Sequence, residues 1–133
     1  MANSRILVDT SVFIDFLRKD KKDKTILWHL QENYSCTMSV VTLFELLCGA
    51  KTDKHLTDVN TLKKWIENLP FDDQVAENAA TIFRKLKVKN RLIEFRDIFI
   101  AATAYEHKLP IATLNEKHFE CIEEITLLEL KNS

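Results

Sequence analysis

Glycine and proline are scarce in this chain of 133 residues, which contains one glycine and two prolines. Ordinary usage would supply about nine glycines and about six or seven prolines at this length. The scarcity of these residues disfavours a turn-rich all-β fold and favours helices. A single glycine also excludes the glycine-rich phosphate-binding loops, because those motifs need at least two glycines.

Cysteines are few and far apart, and long apolar runs are absent. Cys36, Cys48 and Cys121 form no CxxC pair, so a reduced, cytoplasmic setting is expected. No apolar stretch approaches the roughly eighteen residues of a membrane span, so no membrane association is expected. The first residues run directly into a short apolar segment without a signal-peptide core.

The chain also lacks an excess of positive or negative charge, since 19 basic residues nearly balance 20 acidic ones. A nucleic-acid partner must therefore be argued from a local patch. The hydrophobic fraction of 46% and the charged fraction of 29% are ordinary for a globular protein. The length predicts one domain over residues 1–133.

Short apolar segments alternate with helical patterns along the whole chain. This alternation predicts a helix-rich α/β fold in which a short-stranded parallel sheet carries helices on both faces. Asp72 or Asp73 is expected to cap a fifth helix, and Gly49 to close the third. The strands are predicted at 6–8, 35–38, 111–113 and 125–130, with a further short strand starting at Phe71. Besides the fifth helix, helices are predicted at 12–18, 26–33, 40–48, 53–69 and 98–107, the last of them opened by Asp97.

Three acids stand at positions where ligands gather in such folds. Asp9 directly follows the first strand, at the carboxyl end of the predicted sheet. Glu45 interrupts an apolar helix and has no Lys or Arg within one turn. Asp97 opens a helix with a surface of small residues. Each acid also has an ordinary interpretation, as a helix cap for Asp9 and Asp97 or as a partly exposed side chain for Glu45.

Taken together, the acids predict a divalent cation. Carboxylates that converge on one sheet edge repel each other unless a cation lies among them. Thr113, Asn115 and Glu116 add polar oxygens after a later strand, with Asn115 and Glu116 as weaker ligand candidates. An oxygen-only ligand set suits Mg²⁺ or Mn²⁺, as one or two ions, and does not suit zinc. Such sites support phosphodiester hydrolysis.

Four segments resemble the motifs of a known family, the PIN domains. They match in order and at the family's spacing, and together they span nearly the whole chain. The segments are ILVDTSVFI at 6–14, TLFELLCGA at 42–50, DIFIAATA at 97–104 and TLNEKHF at 113–119.

The resemblance implies a three-layer α/β/α fold and a Mg²⁺- or Mn²⁺-dependent ribonuclease, most similar to the VapC-type toxins of toxin–antitoxin pairs. Carried over, Asp9, Glu45 and Asp97 are the catalytic, metal-binding acids, and Thr10 or Ser11 holds a ligand in place. Asn115 stands where the family often has Asp. The resemblance also implies a homodimer and an antitoxin chain that lies across the acidic groove.

A basic stretch from 84 to 96 precedes Asp97 and is a candidate for RNA binding, through Lys87, Lys89, Arg91 and Arg96. The alternative is the solvated end of a helix, with Arg96 paired to a neighbouring acid. Two other functions stay open on sequence alone. One is a PIN-like module that binds RNA or protein with a degraded site, and the other is a phosphoryl-transfer regulator with Asp9 as acceptor.

Overall fold

The computed structural model describes residues 4–130 as a parallel sheet between two helical layers. The strands are β1 (Ser4–Val8), β2 (Tyr34–Ser39), β3 (Glu67–Leu69) and β4 (Ile111–Ala112), in the spatial order β3-β2-β1-β4. Every pairing is parallel. The helices are α1 (Thr10–Arg18), α2 (Ile26–Asn33), α3 (Val40–Gly49), α4 (Asp53–Trp65), α5 (Asp73–Val88) and α6 (Phe95–His107), with one-turn 3₁₀ helices at Lys22–Lys24 and Glu116–His118.

The alternation of side chains along β1 divides the core into two halves. Leu7 is buried with residues of α5 and α6, whereas Ile6 and Val8 are buried with residues of α1, α2 and α4. Successive residues of a strand point to opposite faces of a sheet, so each half of the core lies on its own face. This confirms the predicted three-layer α/β/α fold with a short-stranded sheet. None of the helices described within residues 4–130 has the length and apolar character needed to cross a membrane.

The segment predicted as one helix over 53–69 is two elements. The helix ends at Trp65, and residues Glu67–Leu69 form β3, which pairs with β2 from Thr37↔Glu67 to Ser39↔Leu69. The apolar spacing fitted a helix because Ile66 and Leu69 are both buried. The open edge of β2 offers backbone hydrogen bonds that a sequence pattern does not show. The strand expected to start at Phe71 is therefore wrong.

Two further boundaries differ from the prediction. Gly49 is the last residue of α3 and not a left-handed cap, and an added Cβ there would meet nothing within 4 Å. The strand expected at 125–130 is reduced to a single bridge between Ile111 and Leu127. Asp72 caps α5 as expected, by accepting a hydrogen bond from the Val75 amide at 3.0 Å. These differences leave the sheet edge that carries the site unchanged.

Candidate active site at the carboxyl edge of the sheet

The carboxyl ends of β1 and β4 bring distant parts of the chain together. Asp9 follows β1, and its amide donates to the Ala112 carbonyl at 2.9 Å. Thr113 follows β4 directly, so its side chain lies beside that of Asp9. The first turns of α1 and α6 meet at the same edge. Side chains from positions more than a hundred residues apart thus share one polar centre.

Asp9 is buried, with 1% of its surface exposed, and its two oxygens have different surroundings. Oδ2 accepts hydrogen bonds from Ser11 Oγ and Thr113 Oγ1, each at 2.8 Å. Ser11 also donates its backbone amide to Oδ2 at 3.4 Å, so Asp9 is the N-cap of α1. Oδ1 is buried without a hydrogen-bond partner. The structure fixes one oxygen and leaves the other able to accept a ligand.

Glu45 projects from the middle of α3 toward Asp9 and is held by a chain of threonine hydroxyls. Thr10 Oγ1 donates to Glu45 Oε1 at 2.7 Å. The hydroxyls of Thr10 and Thr42 lie 3.0 Å apart, and both threonines are buried. The sequence had indicated no basic partner for Glu45 within one turn of its helix. The partner is Arg96, 51 residues away along the chain.

Asp97 is the third residue of α6 and is 3% exposed. Burial raises the pKa of this carboxyl above its ordinary value, against the opposing effects of Arg96 and His118. His118 Nδ1 lies 3.5 Å from Asp97 Oδ2 and comes from the 3₁₀ helix that follows β4. The helix starts two residues before Asp97, so the acid lies within its first turn instead of preceding it.

The guanidinium of Arg96 lies among the three acids. Nε and Nη2 donate to the two oxygens of Glu45, with Nη2 at 2.9 Å from Oε1, and Nη1 donates to Asp97 Oδ1. Nη2 is 3.6 Å from Asp9 Oδ1. The hydrogen bonds to Glu45 raise the pKa of Arg96, so the group is a permanent cation. Of the two roles considered for Arg96, the structure shows the pairing with acids.

The sequence indicates the three acids and the supporting hydroxyls of Thr10, Ser11 and Thr113, but not the rest of their surroundings. The hydroxyl of Thr42, the ring of His118 and the central position of Arg96 were not expected. The sequence predicts a helix that starts after Arg96, whereas the structure puts Arg96 in the first turn of α6, where the helix dipole disfavours a cation. An arginine at that point of α6 therefore needs a local anion to hold it.

The weaker ligand candidates, Asn115 and Glu116, make no side-chain hydrogen bond to the three acids. The backbone amide of Asn115 donates to Thr113 Oγ1 at 2.9 Å, and this hydrogen bond tightens the turn after β4. Glu116 is exposed in the following 3₁₀ helix. Over residues 4–130, no three His, Cys, Asp or Glu side chains are spaced to hold a metal ion in this arrangement. The basic candidates Lys87, Lys89 and Arg91 are exposed, and Lys89 lies 3.5 Å from Glu123.

Thr113→Val tests how strongly the turn after β4 supports Asp9. The change removes a donor to a buried carboxylate and an acceptor for the Asn115 amide, so we expect the free energy of unfolding to fall by about 2 kcal/mol. Chemical denaturation measures this loss. Thr103→Val is the matched control, because its buried hydroxyl donates to the Phe99 carbonyl of its own helix and to no carboxylate, and a smaller loss of about 1 kcal/mol is expected. Equal losses in the two variants would contradict the assigned role of Thr113.

Comparison with known proteins places this architecture in a family. The profile of the PIN domain matches residues 6–124. This chain belongs to the PIN domain family. The match spans all three acids and the turn after β4, and it confirms the resemblance seen in the four motifs.

Several relatives of this PIN domain align with more than nine tenths of its length. Ribonuclease VapC1 of Methanocaldococcus jannaschii is 34% identical over 93% of this chain and 85% of the relative. Ribonuclease VapC of Rickettsia bellii is 34% identical over 92% of this chain and 94% of the relative. The crystal structure of DNA-bound VapBC from Salmonella typhimurium contains a chain with a TM-score of 0.86 at 27% identity, covering 98% of this chain and 100% of that one.

Proposed function

We propose that this PIN domain is a metal-dependent endoribonuclease that hydrolyses RNA phosphodiester bonds with Mg²⁺ or Mn²⁺, as the toxin of a toxin–antitoxin pair. The observation that carries the proposal is the meeting of Asp9, Glu45 and Asp97, from three distant segments, at one edge of the sheet. The relatives named as ribonucleases support the reaction type.

The chemistry of the site fits a divalent cation. The available donors are carboxylate and hydroxyl oxygens, which hard ions such as Mg²⁺ and Mn²⁺ prefer. Asp9 Oδ1 is buried and lacks a hydrogen-bond partner, as expected of an oxygen reserved for a ligand. Asp9, Glu45 and Asp97 would hold the ion. When bound, such an ion activates water for attack on phosphorus and offsets negative charge on the phosphate.

The surrounding residues orient these acids. Ser11 and Thr113 both donate to Asp9 Oδ2, which directs Oδ1 toward the centre of the cluster. Thr10 fixes one oxygen of Glu45, and Thr42 supports Thr10 in turn. Hydrogen bonds of this kind set the direction of a carboxylate before any ligand arrives. The exposed cations Lys87, Lys89 and Arg91 are proposed to attract the phosphates of RNA.

Removal of divalent metal tests the proposed reaction. Purified protein with Mg²⁺ or Mn²⁺ is expected to cleave a single-stranded RNA, and excess EDTA is expected to abolish cleavage, which returns when Mn²⁺ is added back. Gel analysis of end-labelled RNA measures the cut. Full cleavage in EDTA would contradict metal dependence. RNA binding without cleavage under every metal condition would favour the alternative of a PIN-like binding module.

The partner proteins belong to the same proposal. The Salmonella structure is that of a VapBC complex, and we propose that this chain likewise pairs with an antitoxin, forms a homodimer and acts in the cytoplasm. A cleft of about 520 Å³ between α1, α3 and α4 opens beside Glu45 and includes Leu17, Ala50 and Val59. Charged side chains, among them Arg18 and Asp58, line the same cleft, so an amphipathic segment of a partner, extended or helical, would fit it.

A further inference from the structure

One positive side chain of the protein itself contacts all three acids of the site. Arg96 binds Glu45 through two nitrogens and Asp97 through a third, and its Nη2 lies 3.6 Å from Asp9 Oδ1. The guanidinium therefore lies where a cation shared by the three carboxylates would lie. The two cations cannot fill that space together.

We propose that Arg96 is an intramolecular competitor of the divalent cation, which fills the acidic cluster in the metal-free protein and leaves it when metal binds. The inference rests on the metal dependence proposed above. Oxygens on opposite sides of one Mg²⁺ ion lie only about 4 Å apart. A planar guanidinium with hydrogen bonds along several edges needs a wider gap. With Arg96 in place, no three His, Cys, Asp or Glu side chains over residues 4–130 could hold a metal ion.

Arg96 makes well-formed hydrogen bonds to Glu45 but none to Asp9. Its fork matches the carboxylate of Glu45 with two hydrogen bonds, the geometry that arginine favours. Asp9 Oδ1 keeps no hydrogen bond although it is buried. A spherical ion has no directional donors and can contact all three acids at once. Arg96 thus offsets only one of the negative charges and leaves Asp9 Oδ1 without a partner, and a divalent ion supplies more positive charge.

The position of Arg96 allows it to leave. The side chain is 25% exposed and belongs to the first turn of α6, directly after the exposed residues Glu94 and Phe95. The dipole of α6 disfavours a cation at this end, so the attraction of the acids is what holds the guanidinium inside. Once a divalent ion offsets the charge of the acids, this attraction weakens, and rotation of the side chain can carry the guanidinium to solvent.

Mn²⁺ titration of the whole chain, followed by the electron paramagnetic resonance signal of free Mn²⁺, tests the competition. If Arg96 fills the cluster in about 90% of metal-free molecules, Arg96→Gln should lower the Kd for Mn²⁺ about tenfold. Lys117→Gln is the matched control. Lys117 is exposed and lies next to His118 in the chain, and the substitution removes the same positive charge near the site. Its Kd should change by no more than about twofold, since exposed charges are screened. Arg96→Lys keeps the positive charge but cannot make the paired hydrogen bonds to Glu45. It should therefore compete less strongly, with a Kd for Mn²⁺ between those of wild type and Arg96→Gln.

A second measurement needs no substitution. The ¹⁵N resonance of the Arg96 Nε–H group is expected to shift, and its exchange with water to accelerate, as Mg²⁺ saturates the wild-type protein. A resonance that does not change at saturation overturns the inference, even if the Arg96 variants fail to fold.

The outcomes separate this inference from the proposed function. Unchanged or weaker Mn²⁺ binding by Arg96→Gln, with wild-type binding present and abolished by Asp9→Asn, overturns the competition and leaves the metal site standing. Absence of Mn²⁺ binding by both wild type and Arg96→Gln overturns both proposals. Tighter binding by Arg96→Gln, but not by Lys117→Gln, supports the competition.

Discussion

Asp9→Asn is expected to reduce RNA cleavage at least about a hundredfold while leaving the fold intact. Loss of a residue that only supports a metal ligand costs roughly 10- to 100-fold, so loss of a charged ligand should cost at least as much. The amide oxygen of Asn can still accept the hydrogen bonds from Ser11 and Thr113. Its NH₂ group would then replace the anionic Oδ1, which faces the centre of the cluster. Initial rates on a labelled RNA measure the effect.

The exposed Asp23 provides the control for this experiment. It belongs to the 3₁₀ helix at Lys22–Lys24, and Asp23→Asn makes the same chemical change away from the site. Its cleavage rate should stay within about twofold of wild type, since exposed charges act weakly at a distance. Circular dichroism and thermal melting confirm that both variants are folded. Full activity in Asp9→Asn, or equal losses in both variants, would rule out the assigned role of Asp9.

Phe119→Ala is expected to lower the free energy of unfolding by about 3–5 kcal/mol. The ring is 1% exposed and packs in the half of the core that contains Leu7, Ile98 and Ile100. Its removal takes apolar surface out of the core and leaves a cavity. A loss of this size is a large share of the roughly 5–15 kcal/mol that stabilises a typical domain. Urea denaturation followed by fluorescence measures it.

Phe44→Ala is the matched control because the Phe44 ring is 65% exposed on α3. Substitutions at such positions change stability by about 0.5 kcal/mol or less. If Phe119→Ala is as mild as Phe44→Ala, the aromatic residue of the TLNEKHF segment does not anchor the turn after β4. The comparison also separates the two roles in that segment, in which Thr113 orients Asp9 and Phe119 fixes the chain to the core.

The sequence predicts the layers of the fold well because each layer leaves a local pattern. Ile6, Leu7 and Val8 are all apolar because β1 is buried on both faces, and the helices show their spacing. The short strand Glu67–Leu69 leaves no such pattern. Its place in the sheet depends on the free edge of β2, which exists only in the folded protein.

The site likewise contains residues that a local sequence pattern indicates and residues that only the folded structure brings together. Asp9, Glu45 and Asp97 are found from their positions after a strand and within apolar helices. Arg96 could not be assigned from sequence, because a basic residue in a basic stretch fits RNA binding as well as pairing with acids. Only the packing of α6 against α3 brings Arg96 to Glu45 across 51 residues of sequence. Contacts of that range are set by tertiary structure.

The central position of β1 has a consequence for local opening of the molecule. This strand has neighbours on both sides, and the amides of Leu7 and Asp9 donate to the carbonyls of Pro110 and Ala112, each at 2.9 Å. Amides in such strands exchange with deuterium chiefly through global unfolding. The backbone that carries Asp9 is therefore among the last parts of the protein to fray.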